Sequence, residues 1–190
     1  MNQEILKILT QPLLYQWSVQ GLGMMRTHLD EHSRLHIWHS SLVTPDATPL
    51  HTHPWNFTSE VILGQVRQNR YSIDTDGSVV HGRRYQRQRI ICGEGGGVVG
   101  DSDDVVLYTR PKEYYDVGDK YHQEAHEIHE SYPIDSTITI ITREYLEDTD
   151  HAFVFIPEGE EFGSAAPRPA SRAEVLYITR EVLHAYQVKS

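Results

Sequence analysis

From Arg34 to about Phe155 the chain is a succession of short runs rich in Val, Ile, Thr and Tyr, broken by turn residues and never by a helical pattern. The runs are Leu35–Leu42, Ser59–Leu63, Val66–Ile73, Arg83–Ile91, Val105–Thr109, Asp119–Gln123, Thr137–Thr142 and Ala152–Ile156. Residues of these types at such lengths, bounded by Gly, Asp and Pro, read as strands. Asp74-Thr-Asp-Gly77 is a hairpin turn signal. About eight short strands with no helix between them predict an all-β sandwich or small barrel over residues 34–157.

Helical patterns flank this region. Residues 3–18 place Ile5, Leu6, Ile8, Leu9, Leu13 and Leu14 on an apolar face broken near Pro12. Ser171-Arg-Ala-Glu174 is a capping box, and Val175, Ile178, Val182 and Tyr186 follow at helical spacing, so a terminal helix is expected over 171–187. It packs outside the barrel or across a partner copy, and these apolar segments predict a homodimer. The 190 residues contain no linker of domain-boundary length, so 1–190 reads as one domain.

Composition excludes several classes. No apolar run approaches the roughly 20 residues needed to cross a bilayer, and the first residues lack the pattern of a signal peptide. The single cysteine, Cys92, allows no intramolecular disulfide, and a cytoplasmic location is expected. Cys92 has no base partner in its sequence frame and is given no nucleophilic role. Twenty-seven acidic against 17 basic residues give a net charge of −10, which argues against nucleic acid as principal partner. The basic run from His81 to Arg89 reads as a solvated or substrate-facing strand rather than an RNA-binding one. Glu94-Gly-Gly-Gly97 lacks the Lys-Ser/Thr of a phosphate loop and reads as a turn.

Chemistry concentrates in His51-Thr-His53-Pro-Trp-Asn-Phe57. On an extended strand His51 and His53 point to one face and can share a metal ion. Neutral imidazole suits zinc, copper, iron and nickel. With 12 histidines a chance His-x-His is common, so a second element matters. Gly118-Asp-Lys-Tyr-His122-Gln-Glu-Ala-His126-Glu-Ile-His129 can supply a third ligand from His129, His126 or His122. Trp55 and Phe57 share the parity of the first two histidines and would form a dry wall, with Asn56 as a partner to the ligands. His36 and Trp38 share a face of another strand, where ordinary packing competes with pocket lining. Tyr71, Tyr85, Arg67 and Arg143 are candidates to orient a carboxylate or donate a proton.

These two elements resemble the two motifs of the cupin superfamily. His51, His53 and Gly64 match the first motif. Glu124-Ala-His126-Glu-Ile-His129 falls on the frame P-x-G-x-x-H with Pro and Gly replaced, and Gly118 stands at the upstream Gly. The motif blocks cover about a third of the chain. The resemblance implies a jelly-roll barrel and favours His129 as third ligand, with His126 in a turn position normally held by Gly. The usual glutamate ligand is absent, since its places hold Phe57 and Thr58; Glu60 comes too late and faces away by alternation, and is the reserve ligand if a bulge shifts the register. Three-histidine shells occur in cupin-type thiol and diketone dioxygenases. The resemblance therefore implies a mononuclear iron(II) oxygenase acting on a small polar or anionic molecule. Zinc, nickel and manganese are possible alternatives, as are a metal-dependent isomerase or lyase and a non-catalytic small-molecule-binding cupin.

Overall fold

The computed structural model describes residues 3–44, 50–91, 99–100, 102–134, 136–145, 151–161, 163 and 167–189. Cys92 and Glu94-Gly-Gly-Gly97 lie outside the described residues. Helix α1 (Gln3–Thr10) buries Ile5, Ile8 and Leu9. Pro12 has no N–H to contribute to a continuing helix and instead opens a 3-10 turn, Pro12–Leu14. The helical segment ends there, short of the expected boundary at 18, because Ser18 already belongs to strand β1 (Ser18–Gln20). Strands β2 (Leu22–His28) and β3 (Ser33–Val43) follow.

β4 (Trp55–Leu63) begins earlier than the expected Ser59, so Trp55, Asn56 and Phe57 are strand residues. The order continues with β5 (Val66–Ile73), β6 (Arg83–Ile91), β7 (Asp103–Thr109), β8 (Glu113–Tyr115), β9 (Lys120–Gln123), β10 (Ile128–Pro133), β11 (Thr137–Tyr145), β12 (His151–Pro157), β13 (Arg168–Pro169) and α2 (Arg172–Lys189). On β6 the basic run is a solvated strand: Arg87 pairs with Asp103 at 2.6 Å and Arg83 with Glu160 at 3.3 Å. Gly64 ends β4 at φ 81°, and a Cβ there would lie 2.3 Å from Thr137 Oγ1, so only glycine fits this turn.

All strand pairs are antiparallel. The first sheet runs β13-β1-β2-β3-β11-β4-β9, and the second β10-β5-β7-β6-β12 with β8 attached to β5. Residues Leu50–Thr52 join the ends of the second sheet. His51 bridges both His129 of β10 and Val154 of β12, the Thr52 N–H donates to Phe153 O at 2.9 Å, and the Phe155 N–H to Leu50 O at 3.0 Å. The second sheet is therefore a closed circuit of hydrogen-bonded segments, leaving no free edge where β10 and β12 would otherwise end.

Three apolar clusters follow from strand alternation. Met25, Leu35, Ile37, Leu63 and Ile138 pack with Ile5, Ile8, Leu9, Val175, Ile178, Val182 and Tyr186, joining one face of the first sheet to both helices. Leu50, Tyr85, Leu107, Ile128 and Phe155 form a core contributed by the second sheet. Phe57, Val61 and Tyr121 from the first sheet meet Val66 from the second, so the remaining faces of the two sheets pack on each other. Helix α2 begins with the expected capping box: the Ser171 N–H donates to Glu174 Oε2 at 2.7 Å and the Glu174 N–H to Ser171 Oγ at 3.2 Å. Its apolar stripe, expected at a partner or outside the barrel, is buried against the chain's own first sheet and α1. Among the described residues no helix is long and apolar enough to cross a membrane.

Candidate metal centre

The His51 N–H donates to His129 O at 3.1 Å, and the His129 N–H to His51 O at 3.0 Å. Such a doubly bonded antiparallel pair places the two side chains on the same face. His53, two residues on, shares that face. Its carbonyl accepts the His126 N–H at 2.8 Å, which ties the motif to the β9–β10 turn. Ring centroids are separated by 4.7 Å for His51–His53, 4.8 Å for His51–His129 and 5.1 Å for His53–His129. One ligand nitrogen from each residue lies within 4.8 Å of the others. Ligand bonds of about 2.0–2.1 Å fit inside such a triangle after small ring rotations. Among the described residues this is the only cluster of three or more His, Cys, Asp or Glu with that geometry.

Burial first, then the neighbouring His51 and His129, hold His53 well below the ordinary histidine pKa. Burial and the charges of His51 and Arg70 do the same for His129. Both rings are neutral at neutral pH, the state that carries a free lone pair. His129 is only 2% exposed. Its Nδ1 stands 3.2 Å from Gln68 Oε1, while its Nε2 has no hydrogen-bond partner. Gln68 is fully buried and its amide nitrogen donates to Tyr121 OH at 2.9 Å and Ser131 Oγ at 2.7 Å. That turns the amide oxygen toward His129, makes Nδ1–H the donor and leaves the Nε2 lone pair facing the cluster. A buried nitrogen without a partner costs about 1–3 kcal/mol, and a metal ion at the centre of the triad would supply the missing partner. The residues present fit a divalent ion that favours imidazole.

Orientation of a ligand histidine by its second nitrogen normally carries about 10–100-fold in metal affinity. Gln68→Leu is therefore expected to weaken zinc binding by about that factor while leaving one ion per chain at saturation, measured by competition with a chromogenic chelator. An unchanged affinity would show that Gln68 does not position His129.

Trp55 stacks on His53 with centroids 5.5 Å apart, and Phe57 meets His53 edge-on at 5.2 Å. Both stand on the wall where parity puts them. Asn56 does not partner the ligands: alternation turns it to the other face, where its Oδ1 accepts the Ala125 N–H at 2.8 Å and pins the turn. His122 is exposed on β9 opposite Thr58, outside the triad. His126 has the positive φ expected of a glycine position, 60°, and its ring lies 5.5 Å from His151 rather than in the triad.

Tyr71 bonds to Glu130 instead of lining this site, and Arg67 lies over the Tyr132 ring at 4.1 Å. Tyr85 belongs to the core of the second sheet. Arg143 is 5% exposed, donates to Glu31 O at 2.9 Å and lies 5.6 Å from the Trp55 ring, so it braces the aromatic wall. Glu60 pairs with Lys120 at 3.1 Å and contributes nothing to the cluster.

Sequence reasoning missed Gln68, Tyr121 and Ser131. A glutamine sharing parity with Val66 on β5 was the available signal, but only the pairing of Ser131 with Gln68 brings it beside His129. Two surface hollows, one near Tyr85 and Glu160 and one near Arg67 and Tyr132, include no triad residue in their walls. In comparisons with known proteins, no family model and no curated protein matches this chain.

Proposed function

We propose that this chain is a cupin-type jelly roll that holds one divalent metal ion on His51, His53 and His129 and acts as a mononuclear iron oxygenase on a small polar or anionic molecule. The observation that carries the reading is the three-histidine cluster, with a buried His129 Nε2 that has no other partner. The jelly roll is supported by strand order. β3-β11-β4-β9 form one face, and the Leu50–Thr52 segment, β10, β5 and β7 form the other. The chain crosses between sheets from β3 through Leu50–Thr52 and β4 to β5, stays in the second sheet from β5 to β8, and crosses again at each step from β8 to β12.

When bound, the ion supplies Lewis-acid and redox chemistry, with positions left open by having only three protein ligands. Iron stands first because the carboxylate-free shell matches the resemblance to three-histidine dioxygenases; imidazole alone also suits zinc and nickel. The protein's own part is to hold the three nitrogens in place, keep those of His53 and His129 unprotonated, and exclude bulk water with Trp55 and Phe57. The single cysteine suits a reducing compartment, and the cytoplasm is the proposed location. A homodimer through the outward sides of the helical segments, where Leu14 and Tyr177 are exposed, belongs to the same reading.

Iron-reconstituted protein is expected to consume dioxygen in an oxygen electrode when supplied with a member of a panel of thiols, diketones and hydroxy acids. If no member stimulates uptake while a non-iron metal persists through purification without chelator, a metal-dependent isomerase or lyase replaces the oxygenase. If no metal is retained at all, a non-catalytic small-molecule-binding protein replaces both.

A further inference from the structure

We infer that Arg26 and His36 form a carboxylate-binding subsite beside the triad, so that the substrate is a small molecule with a metal-chelating end and a carboxylate. The inference rests on the metal reading for the chelating end only. Arg26 on β2 and His36 on β3 are directly opposed across the strands, which sets their side chains on one face about 4.5–5.5 Å apart at Cβ. Met25, Leu35 and Ile37 take the helix-covered face of these strands, so Arg26 and His36 stand on the opposite one. Thr139 lies beside His36 on the next strand, in the same row.

Two features of this row call for a ligand. His36 is 6% exposed, yet neither ring nitrogen has a hydrogen-bond partner. Arg26 is partly buried and bonds only through Nε, to Ser18 Oγ at 3.2 Å, with no carboxylate in ion-pair distance among the described residues. A buried imidazole offers one donor and one acceptor, and a guanidinium offers paired N–H groups that match a carboxylate. Burial first, and then the positive charges of Arg26, Arg34 and Arg143, hold His36 well below the ordinary histidine pKa. Thr139 pairs in turn with Val61, which packs with Phe57, and Phe57 meets the His53 ring at 5.2 Å, so the row lies on the face of the first sheet that the triad abuts. An anion entering this row would meet the His36 ring nitrogens, which have no partner, and the Arg26 guanidinium, which has no carboxylate partner among the described residues.

The test uses calorimetric titration of zinc-loaded protein with the dicarboxylates from oxalate to glutarate and with their diamides. At least one dicarboxylate is expected to bind about tenfold or more tightly than its diamide, a preference in keeping with charge-assisted hydrogen bonds. Arg26→Gln and His36→Phe should each remove that preference while zinc affinity stays within about twofold. Should Arg26→Gln fail to fold, His36→Phe decides. Equal binding of acid and amide, as a mere ordered water at His36 would give, overturns the subsite, and so does a preference that survives in the folded variants. If the wild-type protein binds no zinc, the metal reading fails by itself. The same titration of metal-free protein then decides the subsite independently.

Discussion

Protein carrying His51→Ala, His53→Ala or His129→Ala is expected to retain no stoichiometric zinc or iron, a loss well beyond the roughly 10–100-fold expected for Gln68→Leu. On the proposed reading the triad supplies the protein ligands, since no other carboxylate, thiol or imidazole among the described residues joins the cluster. Removing one imidazole leaves two nitrogens, and no carboxylate among the described residues is in position to replace the third. Glu60, the one acid on β4, is held by Lys120 at 3.1 Å. The folding consequences differ between sites. His51 and His53 are partly buried and can be shortened cheaply, whereas His129→Ala also strands the buried Gln68 Oε1 and should cost about 1–3 kcal/mol. Elemental analysis after purification without chelator, paired with thermal unfolding, separates the two effects. Unaltered metal content in folded His51→Ala and His53→Ala protein would sink the site, and Glu60→Gln should leave metal content as it is in the parent.

What could be read in advance follows from how local each signal is. Val66–Ile73 and Arg83–Ile91 have the bounds predicted from their composition, and α2 starts where its capping box puts it. β2 escaped notice because Leu22-Gly-Met-Met-Arg-Thr-His28 contains one β-branched residue and no alternation. β10, Ile128–Pro133, is equally unmarked: Glu130 is buried there by its bonds to Asn69 and Tyr71, a polar contact that hydropathy cannot reveal. At the site, His51 and His53 could be paired from period-two geometry alone. His129 needed the motif frame, because its approach depends on a bridge between distant segments. The role expected of Asn56 conflicts with its own parity, since 51, 53, 55 and 57 share a face and 56 takes the other. Gln68 and Arg26 were out of reach, as each meets its histidine through a cross-strand register that only the assembled sheets define.

The metal-free protein is expected to lose stability progressively as pH falls below about 6.5, the ordinary histidine value. His36, His53 and His129 are all held well below that value, in each case chiefly by burial and then by neighbouring positive or protonatable groups. A lowered folded-state pKa means that the unfolded chain binds more protons once pH drops through the unfolded value. Stability is therefore complete above that value and declines below it, until the folded-state values are reached. Each histidine contributes a slope approaching about 1.4 kcal/mol per pH unit. His36 and His129, at 6% and 2% exposure, should give nearly the full effect, and the partly buried His53 less. Urea unfolding of metal-free protein between pH 7.5 and 5 would then show a decline of roughly 2–4 kcal/mol per pH unit in the lower part of that range. His36→Phe should remove about one proton's share of the slope without touching the triad. Saturating zinc should flatten the part due to His53 and His129 where it stays bound, because the ion occupies the same lone pairs that protons seek. A stability profile that is flat from pH 7.5 to 5 without metal would mean that these rings are already solvated or paired in the folded chain, and would remove the electrostatic basis for both the metal centre and its neighbouring subsite.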